Sequence, residues 1–322
     1  MSRKNVSLKD IALAVGFSVD AVSKALRDSD QIGEETKKMI KQRATEMGYV
    51  KNSSALALKT GRSNNILVFL NSLFNQYFSI MATHIIKETE KRNYRSTICF
   101  TNGFILDVDQ INVSEINQCA AVISLVEPTD KTVQYFKENS IPLYIIGIKP
   151  NQDYPNYAIT DDYSGGYKVG EYFACSSFKR GAYITNSPSE TSHRRRKGFI
   201  DAVSKLCEKT YKSFSIEDNK DSYDRIAEII EEEKIDFIFC FSDFLGFSLR
   251  TLLHRKYRNY DTVIFGFDNV AQYIEAFEPI NSVGSDVEQI ASDVLGHIDS
   301  YLNGKTEEKF AKSYPVQLII KN

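Results

Sequence analysis

The chain has 322 residues, of which 42% are hydrophobic and 25% charged, with a net charge of −2. This is ordinary globular composition, too long for one compact domain and suited to a small unit plus a larger one, and no apolar run approaches the ~18 residues of a membrane span. The charge is unevenly placed: residues 1–63 hold twelve basic and seven acidic residues, a net of +5, and the remainder holds 28 and 35, a net of −7, so a basic head on an acidic body is expected to meet a polyanion.

The first elements are helices. The start, Met1-Ser2-Arg3-Lys4-Asn5-Val6, has no apolar signal core and leads straight into a capped pattern, so a cytoplasmic protein is expected. Ser7 followed three residues on by Asp10 is close to a capping box, and Leu8, Ile11, Ala12 and Val15 repeat at the spacing of one helix face. Gly16 ends this helix. Ser18 can cap a second, running from Val19 to about Leu26 with Val22, Ala25 and Leu26 inward. Small Ala12, the turn at Gly16 and Val22 between the helices make a helix-turn-helix, whose second helix fits a major groove about 12 Å wide; a plain helical hairpin is the alternative. A third helix over 34–47 starts at Glu34 and Glu35, ends at Gly48, and carries a stripe of Met39, Ile40, Ala44 and Met47. In the stretch that follows, the Ala/Leu part at 55–58 spells one or two turns of helix, too short to hold alone in water.

Beyond Arg62 the period changes. Short apolar runs at 66–70, 96–100, 120–125 and 142–148 read as strands, with a helix over 79–92. After 157–160 a second series follows, at 181–185, 211–216, 237–241 and 263–267. Strands alternating with helices imply parallel sheets covered on both faces, and two series imply two doubly wound lobes. Ligands bind such sheets at the carboxyl ends of their strands, and two facing lobes make a cleft that closes on a small molecule. Cys99, Cys119, Cys175, Cys207 and Cys240 are far apart without a C-x-x-C pair, which predicts reduced core residues and neither a disulfide nor a metal site.

Val6-Ser7-Leu8-Lys9-Asp10-Ile11-Ala12, Gly16-Phe17-Ser18, Ala21-Val22-Ser23-Lys24-Ala25-Leu26, Glu34-Glu35-Thr36, Gly48-Tyr49 and Asn52…Ala55…Leu58…Thr60-Gly61-Arg62 resemble, in register, the head and hinge of the LacI/GalR family of transcriptional regulators. The resemblance continues through the body. Asn75-Gln76-Tyr77-Phe78 is similar to the family's Asn-Pro-aromatic-Phe loop, Asp161-Asp162…Gly165 to its Asp-Asn…Gly, and Arg195-Arg196-Lys197-Gly198-Phe199 to its Arg-x-x-Gly-Phe. Ser242-Asp243 is similar to its Asn-Asp, and Gly266-Phe267-Asp268-Asn269 to its Gly-Phe-Asp-Asp. Lys51 stands where many members have proline, Leu56 where they have a polar residue, and Ser285-Asp286 where they have Gln-Pro.

The resemblance implies a small all-α helix-turn-helix head (1–50), a hinge helix and linker (51–62), and an α/β two-lobed, periplasmic-binding-protein-like body (63–322) built on two doubly wound parallel sheets. The chain is expected to cross between lobes, with lobe 1 at about 63–159 and 286–305 and lobe 2 at about 160–285 and 306–322. DNA contact is expected from Ser7, Ser18, Val19, Asp20, Ser23 and Lys24, where Val19 can touch a thymine methyl and Asp20 can accept from a cytosine amino group; Asp20 as a partner of the helix dipole is the alternative. In the hinge, Ala55, Leu58 and Lys59 are the candidates, Leu58 as the wedge that kinks the central base step.

The effector set is Tyr77, Phe78, Arg195, Phe241, Asp243 and Asp268. Asp243 follows an apolar strand, where a carboxylate accepts two sugar hydroxyls or caps the next helix. Arg195 lies in a basic run that mostly makes a solvated helix face, and the match to Arg-x-x-Gly selects it. Tyr77 and Phe78 can stack on a sugar ring or pack in the core. Asp161 and Asp162, on opposite faces of a strand, suit capping better than acid/base work.

The expected function is a DNA-binding regulator, a repressor of sugar-utilisation genes, that binds a palindromic operator as a homodimer. It is controlled by a small-molecule effector, a sugar or sugar phosphate, and needs no cofactor and no membrane. A global regulator controlled by a phosphocarrier protein, a sugar-binding transport protein and a sugar-modifying enzyme are the competing readings. The basic head opposes the transport protein. The enzyme is opposed by the absence of G-x-S-x-G, a phosphate loop, G-x-G-x-x-G or metal-spaced histidines.

Overall fold

The computed structural model describes residues 6–26, 29–49, 63–112, 116, 119–148, 156–257, 261–274 and 280–321. The hinge candidates Ala55, Leu58 and Lys59 lie outside the described residues. Two compact units divide the chain, Met1–Ser63 and Asn64–Asn322.

The first unit holds three helices, α1 (Leu8–Val15), α2 (Val19–Ala25) and α3 (Glu34–Glu46). Ser7 and Asp10 close a reciprocal capping box on α1, and Gly16 ends that helix in the left-handed region (φ 74°) that a side chain resists. Ser18 caps α2 by accepting the Ala21 N–H. Ile11, Ala12, Val22, Ala25, Ile40 and Ala44 are buried together. Met39 does not join them and is 43% exposed. The buried stripe of α3 runs Lys37, Ile40, Ala44, and Met39 is one residue off it. Lys37 lays its aliphatic stem along the stripe and brings its ammonium to Glu34 at 2.7 Å.

The body carries a six-stranded parallel sheet in the order β13-β7-β6-β4-β1-β2, formed by β1 (Asn65–Leu70), β2 (Arg95–Phe100), β4 (Ala121–Ser124), β6 (Leu143–Ile146), β7 (Asn156–Thr160) and β13 (Ala311–Tyr314). A four-stranded parallel sheet has the order β11-β10-β8-β9, from β8 (Arg180–Thr185), β9 (Thr210–Ser215), β10 (Phe237–Cys240) and β11 (Val263–Phe265). The inner strands β4, β6 and β10 are buried at every position, as helices on both faces require. The edge strands β2 and β9 are not.

After β7 the chain enters the second lobe, where the Asp162–Cys175 helix packs on the Glu190–Leu206 helix. It returns with the Val287–Leu302 helix, which packs on the Gln76–Lys91 helix. It crosses a third time after β13, because β14 (Gln317–Ile319) pairs antiparallel with β12 (Ser282–Gly284). This corrects the expected boundary at 306: Ala311–Tyr314 extend the first sheet by pairing with Tyr157–Thr160. Among the cysteines, Cys240 is buried but Cys175 is exposed, against the expectation of core residues throughout; all five are free thiols.

Gly296 sits inside the Val287–Leu302 helix, and a Cβ added there meets nothing closer than the Arg92 side chain at 3.7 Å. Gly296→Ala should therefore raise the unfolding free energy of the body by roughly 0.5–1 kcal/mol through lost freedom of the unfolded chain. Urea unfolding reads this directly, and an unchanged or lower midpoint would contradict it.

Candidate functional site

At the start of α2, Ser18, Val19 and Asp20 are exposed, and Ser23 and Lys24 are half-buried. The Ser18 hydroxyl accepts the Ala21 N–H at 3.1 Å. The Asp20 carboxylate meets the Lys24 ammonium at 2.9 Å, so the pair presents a neutral, mutually held unit beside the exposed Val19 side chain. On α1, the Ser7 hydroxyl donates to Asp10 at 2.7 Å and serves the cap.

In the body, two helices set the geometry. The Asp162–Cys175 and Glu190–Leu206 helices approach so closely that a Cβ on Gly166 would collide with the Arg195 carbonyl, and one on Gly198 with the Tyr163 carbonyl. This approach delivers Arg195 to a buried position. Its Nε donates to Asp162 Oδ1 at 2.9 Å, Nη1 to the Phe241 carbonyl at 2.7 Å, and Nη2 to Asp268 Oδ1 at 3.5 Å. The guanidinium carbon lies 3.5 Å from the centroid of the Phe267 ring and 5.0 Å from that of Phe241, within range of cation–π attraction. Burial works against the guanidinium's charge, and Asp162 and Asp268 overcome it, so Arg195 is held more firmly protonated than usual. Burial pushes Asp162 upward against the pull of Arg195. It lifts Asp268 to about 7, again with Arg195 opposing and Asp162 adding to the rise. Asp268 also stands at φ 101°, a backbone conformation that costs energy for a residue with a side chain and that clusters at ligand clamps.

Asp243 is buried, but its carboxylate is already engaged. Oδ1 accepts the Ser282 hydroxyl at 2.6 Å and Oδ2 the Val270 N–H at 2.7 Å. Burial, then nearby Asp268, pushes its carboxyl well above the usual range. These bonds tie the start of the Asp243–Lys256 helix to β12 and to the Val270 turn. Phe78 takes the second of its two readings and packs in the core.

Tyr77 is partly buried against the same core. Burial raises its hydroxyl pKa first, and Asp268 adds to that from the second lobe. Gly147, next to the Tyr77 ring, accepts the Thr191 hydroxyl at 3.4 Å. On the loop leading to Tyr77, Asn71 Oδ1 and Gln76 Oε1 are buried with no hydrogen-bond partner. The structure thus brings together Tyr77, Arg195, Phe241 and Asp268, while the Phe78 ring packs in the core and the Asp243 carboxylate bonds Ser282 and Val270. Sequence reasoning missed Asp162, Phe267 and the unpartnered amides. Asp161, as expected, caps a helix, accepting the Ser164 N–H and hydroxyl, but Asp162 turns inward to Arg195. Among the described residues no group of three His, Cys, Asp or Glu side chains is placed to hold a metal ion, and no helix is long and apolar enough to cross a membrane.

The sequence profile described as bacterial regulatory proteins, lacI family, matches residues 7–52. The chain is 22% identical over 336 residues to the HTH-type transcriptional regulator DegA of Bacillus subtilis (strain 168), covering 98% of this chain and 97% of that one. Among solved structures, the Lac repressor dimer bound to operator and the anti-inducer ONPF superposes with a TM-score of 0.78 at 14% identity, covering 98% of both chains. The complex of the transcriptional regulator CelR with cellobiose superposes with a TM-score of 0.66 at 18% identity, covering 98% of this chain and 99% of that one. These likenesses establish the fold.

Proposed function

We propose that this chain, whose residues 7–52 match the lacI family of bacterial regulatory proteins and whose full length aligns with a transcriptional regulator, is a DNA-binding repressor whose hold on a palindromic operator is controlled by a sugar bound between its two lobes. One observation carries the effector reading. A buried arginine, stacked on Phe267 and flanked by Asp162 and Asp268, lies within the electrostatic reach of Tyr77 from the opposite lobe, and two buried acceptors without partners, on Asn71 and Gln76, stand just before Tyr77 in the chain. Hydroxyl groups are the donors such acceptors need, and aromatic faces suit the apolar side of a sugar ring. The cellobiose held by CelR, on the same fold, favours the same class of effector. DNA reading is assigned to the face of α2 bearing Val19 and the Asp20–Lys24 pair, used twice in a homodimer whose two-fold axis matches that of the operator.

The test begins with an operator selected from random DNA, to which binding is followed by fluorescence anisotropy with and without sugars. Affinity should fall roughly a thousandfold between ~50 and ~200 mM salt as phosphate contacts release counterions, with a dimer on the DNA by sedimentation. Asp268→Asn should bind the operator yet lose the response to the sugar. A DNA-bound monomer, or an Asp268→Asn protein that answers the sugar as wild type does, would remove the reading.

A further inference from the structure

One buried cation, Arg195, is held between two carboxyl groups, Asp162 and Asp268. Asp162 is buried and Asp268 half-buried beside it, and half-buried Arg194 adds a second positive charge near Asp162. The Arg195–Asp162 contact is the short one, 2.9 Å between side chains each 7% exposed, and Thr160 donates to the same carboxylate oxygen at 3.3 Å. An arginine matched in this way is already neutralised, and a second anion brought to it must displace Asp162 or sit against Asp162 and Asp268 without compensation. Where the resembled motif has asparagine, which would leave the guanidinium its charge, this chain has Asp162. The unpartnered Asn71 Oδ1 and Gln76 Oε1 add two further acceptors.

Resting on the effector reading above, we propose that Asp162 is a charge filter: by consuming the Arg195 guanidinium it makes the cleft select donor-rich effectors that are uncharged or cationic, neutral sugars and amino sugars, and reject their phosphorylated and acidic counterparts. Asp162 acts through Arg195 and is a positioning residue, so its mark is a change of selectivity. A loss of binding shared by every ligand would be a structural effect.

The experiment titrates the full-length protein, by calorimetry and thermal shift, with hexoses, pentoses and disaccharides, each offered as the neutral sugar, the amino sugar, the sugar acid and the sugar phosphate. Wild type should bind a neutral or amino member and bind the acid and phosphate of the same skeleton at least about tenfold more weakly, as uncompensated like charges require. In Asp162→Asn, the affinity of the anionic arms relative to the neutral arm should rise by at least about tenfold. An acid or phosphate that binds wild type as tightly as its neutral parent overturns the filter and leaves the effector reading standing, even if the variant fails to fold. An unchanged ratio in a folded Asp162→Asn overturns the role of Asp162. Silence from every arm overturns the sugar reading and the filter together.

Discussion

Arg195→Met should lower the unfolding free energy of the body by about 3–5 kcal/mol, the cost of removing one partner from a buried ionic cluster. Methionine preserves much of the volume over Phe267, so the loss is mainly electrostatic: Asp162 and Asp268 stay buried without the guanidinium that bonds both. The pH dependence identifies the cause. Burial raises both carboxyls, Asp268 to about 7, and the guanidinium is what opposes that rise. An acid whose folded-state pKa lies above its unfolded value is penalised in the folded state once ionised, so stability is present at low pH and lost as pH climbs toward the folded pKa. Without Arg195 both pKa values rise further. The deficit relative to wild type should therefore be small near pH 5 and grow toward pH 8. Urea unfolding at both pH values checks this, and a deficit equal at the two, or below about 1 kcal/mol at pH 8, would mean that the cluster is not ionic in the way described.

Gly166→Ala should be as damaging with a single methyl group, at about 3 kcal/mol or more. Alanine would ordinarily favour a helix interior by up to ~1 kcal/mol over glycine, the gain expected at Gly296. At Gly166 the added carbon meets backbone, the Arg195 carbonyl, and no rotamer can move it aside. The Asp162–Cys175 and Glu190–Leu206 helices must separate, carrying Asp162 away from Arg195. Stability and sugar binding should fall together, and a Gly166→Ala protein with a wild-type unfolding midpoint would show that the helices have room to spare.

These two sites also mark where the sequence could be read and where it could not. The inner strands were legible because a parallel strand buried on both faces is an unbroken apolar run, as in Phe237–Cys240. β13 was not, because Ala311, Lys312 and Ser313 are exposed and only the pairing with β7 makes them a strand. Arg195 was legible through the glycine three residues on, which the helix contact demands. The pairing of Asp162 with that arginine was not, since it depends on how two helices approach and leaves no local periodicity. Asp243 satisfied both of its readings until its partners were known, and these lie 27 and 39 residues away in sequence.

A ribosome makes the six-stranded sheet in an awkward order. β1, β2, β4, β6 and β7 emerge early, but β13, their outermost neighbour, emerges only after all of the four-stranded sheet. The second sheet lies within one continuous stretch, Arg180 to Phe265, and can close first. Until Ala311–Tyr314 arrive, β7 presents an unpaired ladder edge, the kind of surface on which nascent chains aggregate. Asn156 waits for Phe310, 154 residues downstream, to receive its bond. So distant a contact is slow to form. Synthesis that stalls short of β13 would therefore leave a closed four-stranded sheet, still without β14, attached to an adhesive first lobe.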